Sequence, residues 1–434
     1  MSLYMLSTLR FVRSLASPNP TTSTMFETLG LICLATITGC AWASMRPNVA
    51  DLNENKREIL MRRLGIMICF LLVPETMILS ASRQWLRASR MAKRYSDKGW
   101  TTTHGFFALM GGFSLYKHGR FVRVLDVAEI KELEAAGEIE WPAITTQQIT
   151  EQVHSNRSIR IIIWVQAGLF LVHTSARLLQ NKAITQLEVI TMAVMVMAAI
   201  MNIIWWDKPL DVQTSFPIHL KAENYERKDL NEVNSRPAHA VRPSSPADPQ
   251  QRPAIIVSSV RLIPETLIDC INQPGLAISA MEGCESSDQH PNDVPTFSSP
   301  ECEGDPMFSH IVLFLASSIQ CLLHLVAWYA CPFSTAHERR LWLTSSIIIP
   351  LFHVVTIPIG TLHRLVDGRS GYGWTLAQGL ITACAGAVFL FGVFARINLL
   401  ILPFSALRSL PPESYEAVEW SSLLPRMHVV VEFI

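Results

Sequence analysis

The chain has 434 residues; 49% are apolar, 17% are charged, and 36 basic residues balance 36 acidic ones. A soluble protein carries about a quarter charged residues, so an ordinary soluble fold is excluded as the whole account. The balanced charge gives no electrostatic footprint for a nucleic-acid partner. The apolar excess falls in a few long runs, the pattern of an all-α transmembrane helical bundle.

Residues 1–24 are an N-terminal flank with Arg10 and Arg13 and no acid before Glu27. In composition it resembles a mitochondrial transit peptide; the plainer reading is a basic flank that orients the first span. A helix needs about 20 mainly apolar residues to cross a bilayer. Seven stretches meet that length, the first two being Met25–Met45 and Leu64–Ser82 within residues 25–82. Pro74-Glu75 interrupts the second, so the count falls to six if that stretch is interfacial.

Residues 83–158 have their own organisation. In "RQWLRASRMAKRYSDKG", Arg83, Arg87, Arg90 and Arg94 recur at helical spacing with Lys93 between them, and Trp85, Leu86 and Met91 are available to lie on lipid. This suits a helix in the headgroup plane, its cations near anionic lipid. The alternative is an extension of the second span into water. Next, "FSLY" and "FVRVL" flank "KHGR", which predicts a hairpin. Asp126 and Glu129 form a capping box with Leu125 and Ile130 as its staple, and Gly137 is placed to stop that helix. Thr145 and Gln148 repeat the device with Ile144 and Ile149. The expectation is a small α+β insert on the membrane surface, with a re-entrant loop through Phe106–Tyr116 as the alternative.

The third and fourth spans, Ile159–Ala176 and Leu187–Trp206 within residues 159–206, are separated by a short loop, which predicts an antiparallel pair. In "WWDKPLDV" the tryptophans read as an aromatic belt, with Asp207 and Lys208 pairing or anchoring at the headgroups. Residues 207–306 turn rich in Pro, Ser and acids and are expected to form a long disordered loop. Within it, "AIIVSSVRLIPETLIDCINQ" is an apolar island that reads as a docking segment or a partly ordered turn of loop. Residues 307–402 hold the fifth to seventh spans, Phe308–Tyr329, Leu341–Leu362 and Leu376–Leu402, and residues 403–434 are a tail.

Three segments, "GWTTTHGFFALMGGFSLY" at 99–116, "WWDKPLDV" at 205–212 and "LRSLPPESYEAVEW" at 407–420, together resemble a family of fungal multi-pass membrane proteins common in basidiomycetes. The resemblance covers both membrane blocks and the tail. It implies an architecture and supplies no catalytic residues.

Ionisable residues inside spans are functional candidates, because hydrocarbon is costly for charge. Glu75 leads, as a protonated, paired or path-lining carboxylate; the competing reading is that the helix bends at Pro74 and Glu75 reaches the interface. His173, His310, His324, His353 and His363 lie in or beside apolar runs without the compact boxes of a membrane di-iron site, so cross-helix hydrogen bonds are expected of them. Glu188 and Asn202 invite the same reading. No Walker A loop, GxSxG elbow or dinucleotide fingerprint occurs, so no catalytic residue, metal or cofactor is expected. The expected partners are membrane lipid and a protein docking on the 213–305 loop or the 99–157 insert. The expected role is a non-enzymatic interaction or organising protein, and the alternative is a transporter or channel whose polar path involves Glu75 and the histidines.

The basic cluster from Arg83 to Lys98 holds a single acid, Asp97, which places it, the N-terminus and the long loop on the cytosolic side. Arg46, Lys56, Arg57, Arg62 and Arg63 before the second span oppose that orientation. With Cys33, Cys40, Cys69, Cys321, Cys331 and Cys384 replaced, an impermeant maleimide is expected to label Cys270, Cys284 and Cys302 only in permeabilised spheroplasts. Labelling of intact spheroplasts inverts the orientation.

Overall fold

Pro74 sets the first feature of the fold. The structure, a computed structural model, describes residues 22–49, 56–117, 119–151, 157–210, 212, 214–221, 306–366, 372–407 and 418. Residues 1–21 of the N-terminal flank, the apolar island of the long loop and nearly all of the tail lie outside the described residues. Helix α1 (Thr22–Ser44) is followed by α2 (Lys56–Leu72), which ends where the chain reaches Val73-Pro74. The proline ring disfavours the helical conformation in the residue before it, and Val73 takes φ −141° and ψ 54°. Pro74 opens α3 (Pro74–Arg94), where its missing N–H leaves no helical bond unmade. The axes of α2 and α3 meet at 110°. The expected second span, Leu64–Ser82, is therefore corrected: it is two helices joined by a sharp bend, because proline cannot continue the hydrogen-bond ladder.

Beyond α3 the chain builds a module with its own core. Helix α4 (Thr102–Leu109) leads through Gly111, at φ 78°, into strand β1 (Phe113–Lys117). Strand β2 (Arg120–Val124) pairs antiparallel with β1, forming the hairpin expected around "KHGR". Helix α5 (Val127–Ala135) starts on the Asp126–Glu129 capping box and stops at Gly137, whose φ is 73°. Thr145 and Gln148 bond reciprocally at the start of α6 (Thr146–Glu151). The staple residues Leu125, Ile130, Ile144 and Ile149 are all buried with Trp100, Phe107 and Phe113.

The third strand comes from far along the chain. Strand β3 (Phe216–His219) lies parallel to β1 on the side away from β2, pairing Phe113 with Phe216 and Leu115 with Ile218. This corrects the reading of residues 207–306 as one disordered loop. Residues 214–221 are ordered because β1 offers them a ladder of unpaired backbone groups, and Ile218 buries its side chain in the module core.

The helical body comprises α1, α2, α3, α7 (Arg157–Leu179), α8 (Gln186–Ile204), α9 (Pro306–Ala330), α10 (Ala336–Val366) and α11 (Tyr372–Ala406). One apolar core runs through it, from Cys33 and Phe70 to Met197, Trp342 and Leu399. Helices α7 and α8 make their main contacts with α1 rather than with each other, which revises the expected simple pair. Helix α8 is central, packing on α1, α3, α9 and α11. Among the described residues, four helices are long and apolar enough to cross a bilayer: α7, α8, α9 and α11, with the bent α2–α3 pair as a further candidate. The apolar part of α1, Leu29–Ser44, is shorter than a span.

Module and body join where α4 crosses α3. A Cβ added to Gly105 would lie 2.4 Å from the Ala88 carbonyl oxygen and 2.7 Å from its Cα, so only glycine permits this approach. Gly105→Ala is expected to destabilise by about 1–3 kcal/mol through overpacking, read as a lower thermal midpoint in detergent. Gly30→Ala, where nothing lies within 4 Å, is the control and is expected to leave the midpoint unchanged or raise it.

Candidate functional site

Because α3 restarts at Pro74, the side chain of Glu75 turns into the body instead of towards a surface. Glu75 is 2% exposed, and Arg396 of α11 donates a hydrogen bond to it from a terminal guanidinium nitrogen. The bend expected at Pro74 occurs, and it delivers the carboxylate to the protein core rather than to an exposed surface. A carboxylate in the first turn of α3 also gains from the helix dipole. Replacing one partner of such a pair costs about 3–5 kcal/mol, whereas replacing both with well-packed apolar residues is close to neutral. The pair is thus a weak stabiliser of the fold and a strong constraint on its own composition.

Two small cavities meet at Arg396. One, with about 10 Å³ open to the centre of a water, is bounded by Pro74, Gln320, His324 and Arg396 and by apolar residues of α2, α8 and α11. The other, about 20 Å³ by the same measure, is bounded by Glu75, Thr76, Ile349, Phe389 and Arg396. Each has room for roughly one water. Gln320 and His324 sit one helical turn apart on α9, and the expected cross-helix bond of His324 is not made. Both of its ring nitrogens, Gln320 Oε1 and Arg396 Nε are buried without a hydrogen-bond partner among the described residues. The Trp342 indole fixes His324 from behind: Nε1 donates to the His324 carbonyl oxygen at 2.8 Å, and the rings meet edge-on at 5.8 Å.

The other expected site residues have different surroundings. Glu188 is the third residue of α8 and caps it with Thr185, Thr185 N–H donating to Glu188 Oε2 at 2.8 Å. Arg177, at the end of α7, lies 3.4 Å from Glu188 and makes a second buried pair there. Asn202 donates to Ser44 Oγ at 3.2 Å and to the Ala198 carbonyl at 2.8 Å, tying α8 to α1. His173 is half-buried on α7 and lines neither cavity. His353 lies on α10 with its side chain outside the described residues. Arg83, Arg87 and Arg90 are half-buried along α3, while Lys93 and Arg94 are exposed in its last turn. Met91, expected on lipid, instead packs against the module core. No three His, Cys, Asp or Glu side chains come together as metal ligands among the described residues.

Two features had gone unread in the sequence. Arg396 is the first, although a lone arginine in the apolar run Leu376–Leu402 is the same kind of signal as Glu75. The second is the inward turn of Lys208. Rather than pairing with Asp207 at headgroups, Lys208 is 2% exposed, with Nζ 3.3 Å from Asn48 Oδ1, 3.1 Å from Gln84 Oε1 and 4.3 Å from the centre of the Trp205 ring. Arg46 donates to the carbonyls of Trp205 and Lys208, closing the end of α8 with a cation. Of the expected aromatic belt, Trp206 is exposed, while Trp205 is buried beneath Lys208.

The module, its junction with α3 and α7–α8 fall within a family match. Residues 87–228 match the model of a family of unknown function, DUF8562, which is about a third of the chain. The match takes in the first two of the segments that resemble fungal membrane proteins and stops before Glu75's partner Arg396. No curated protein and no solved structure matches the chain.

Burial, with the Arg46 charge adding to it, holds the Lys208 ammonium well below the usual lysine range. The unfolded chain therefore binds more protons than the folded one between that lowered value and about 10.4, and stability attributable to Lys208 rises with pH across the window. Lys208→Met loses its amide bonds and its titration together. The gap in thermal midpoint between wild type and Lys208→Met is expected to widen from neutral pH to about pH 10, as measured by unfolding in detergent at each pH.

Proposed function

We propose that the chain is an integral, multi-pass membrane protein of the transporter or channel class, with its polar path passing the Glu75–Arg396 pair. Residence in a bilayer is supported by the outward apolar stripes: Ile161, Val165 and Val172 on α7, and Leu380, Phe391 and Ile401 on α11, are all more than half exposed. With α1, the bent α2–α3 pair and α10 counted beside the four long apolar helices, the span number is seven, divided four and three by the long loop. The resemblance to fungal multi-pass proteins agrees with this architecture. The N-terminus and the loop are assigned to the cytosolic side on the Arg83–Lys98 cluster.

The observation that carries the activity is a carboxylate and a guanidinium buried together at a broken helix. Discontinuous helices in membrane transporters place ion sites at their breaks, and charge at such depth is retained for pathways and relays rather than for stability. Gln320 and His324 extend the polar surface along α9.

A second reading, an interaction or organising protein, is favoured by the tightness of the cavities beside Arg396 and by a module with a separate core. Its partner would dock on the module or the long loop. Proton flux separates the two. In acid-loaded proteoliposomes carrying an internal pH dye, wild-type protein is expected to dissipate the gradient at least about tenfold faster than Glu75→Gln/Arg396→Gln, which removes both charges and leaves no buried ion unpaired. Equal rates, with both proteins folded, would favour the organising role.

A further inference from the structure

Arg396 has one partner and two places to go. Its guanidinium bonds Glu75 of α3, while Arg396 also lines the cavity bordered by Gln320 and His324 of α9 and keeps an Nε with no hydrogen-bond partner among the described residues. Gln320 is 3% exposed and His324 fully buried, so their unpaired acceptors carry a desolvation cost that the observed arrangement does not offset. A guanidinium has five donors in a planar fork on a flexible stem, and once the carboxylate is neutralised it can donate to a carboxamide oxygen and an imidazole nitrogen instead.

We infer that Gln320 and His324 form a second seat for Arg396, which is taken when Glu75 binds a proton, so that the cluster is a proton-binding site with Arg396 as its moving part. This rests on the polar-cluster reading above and assigns protons as its ligand. The step balances simply. A proton from water forms an O–H bond on the Glu75 carboxylate; Arg396 keeps its charge and exchanges one set of hydrogen bonds for another. The net charge of the cluster rises by one and falls again when the proton leaves. Among the residues lining the two cavities, the titratable or charged groups are Glu75 from α3, His324 from α9 and Arg396 from α11. The lining from α2, α8 and α10, such as Phe70, Met197 and Ile349, is apolar, so no other carboxylate in either cavity competes for Arg396.

The alternative seat makes a prediction of opposite signs. In wild type, Gln320→Leu removes an unpaired buried acceptor and is expected to leave the thermal midpoint unchanged or raised. In the Glu75→Gln background, which imitates the protonated carboxyl, the same change removes the acceptor that Arg396 has taken and is expected to lower the midpoint by several degrees. Trp342, held against His324, reports the move directly: its emission, isolated by difference from Trp342→Phe, is expected to shift on acidification of wild type and to stay in the shifted state in Glu75→Gln. Equal effects of Gln320→Leu in both backgrounds, or a Trp342 signal indifferent to both acid and Glu75→Gln, overturn the exchange. If Glu75→Gln does not fold, wild type and Gln320→Leu suffice: acid shifts Trp342 in the first and not in the second, and a shift in both rejects the seat. A coupled cycle without proton flux sinks the transport reading and leaves the switch; flux with an additive cycle does the reverse.

Discussion

The break at Val73-Pro74 is the constraint on which the rest of the molecule depends. Proline cannot carry a helix through, so the chain restarts at 110° and sends the second half, α3, away from the first. That turn does two things at once. Its start places a carboxylate in the apolar core, which obliges α11 to bring an arginine to it across more than three hundred residues of sequence. Its far end carries Ala88 to the point where Gly105 can approach, and there the module is attached.

Charge inside the body is handled in pairs and caps rather than scattered. Arg177 and Glu188 close the turn between α7 and α8, Arg46 and Lys208 close the other end of α8, and Glu75 and Arg396 join the two helical blocks. The first two sites lie at helix ends, where backbone carbonyls and N–H groups complete the hydrogen bonding. The third has no helix end of its own on the α11 side and is bordered by acceptors that have no donor among the described residues. That difference sets the Glu75–Arg396 pair, for which a change of state is proposed, apart from the two structural closures.

The module illustrates how a soluble-type core is tied to an apolar bundle. Its hairpin, α5 and α6 are built from local signals, yet its sheet is completed only by β3, which follows α8. The ends of α3 and α8 therefore both feed the same small core, and the Arg46–Lys208 cluster sits at their shared junction with the exit of α1. The family match begins within α3 and ends after β3, so it covers the module together with the last turns of α3 and the whole of α7 and α8.

The sequence by itself determined whatever depends on neighbours within a few residues. The capping boxes at Asp126 and Thr145, the stop at Gly137, the hairpin around Gly119 and the interruption at Pro74 are set by backbone chemistry that acts over one turn. Long apolar runs were equally legible, since their length and composition are properties of the chain alone. What only the tertiary structure decided is where the interruption sends its side chain and what meets it there. Nothing local says that Glu75 turns inward, that Lys208 lies over Trp205 rather than in water, or that Phe216–His219 joins a strand a hundred residues earlier. Those outcomes follow from packing and from the need to pair buried charge and backbone groups, and these act between segments whose separation in sequence carries no information about their separation in space.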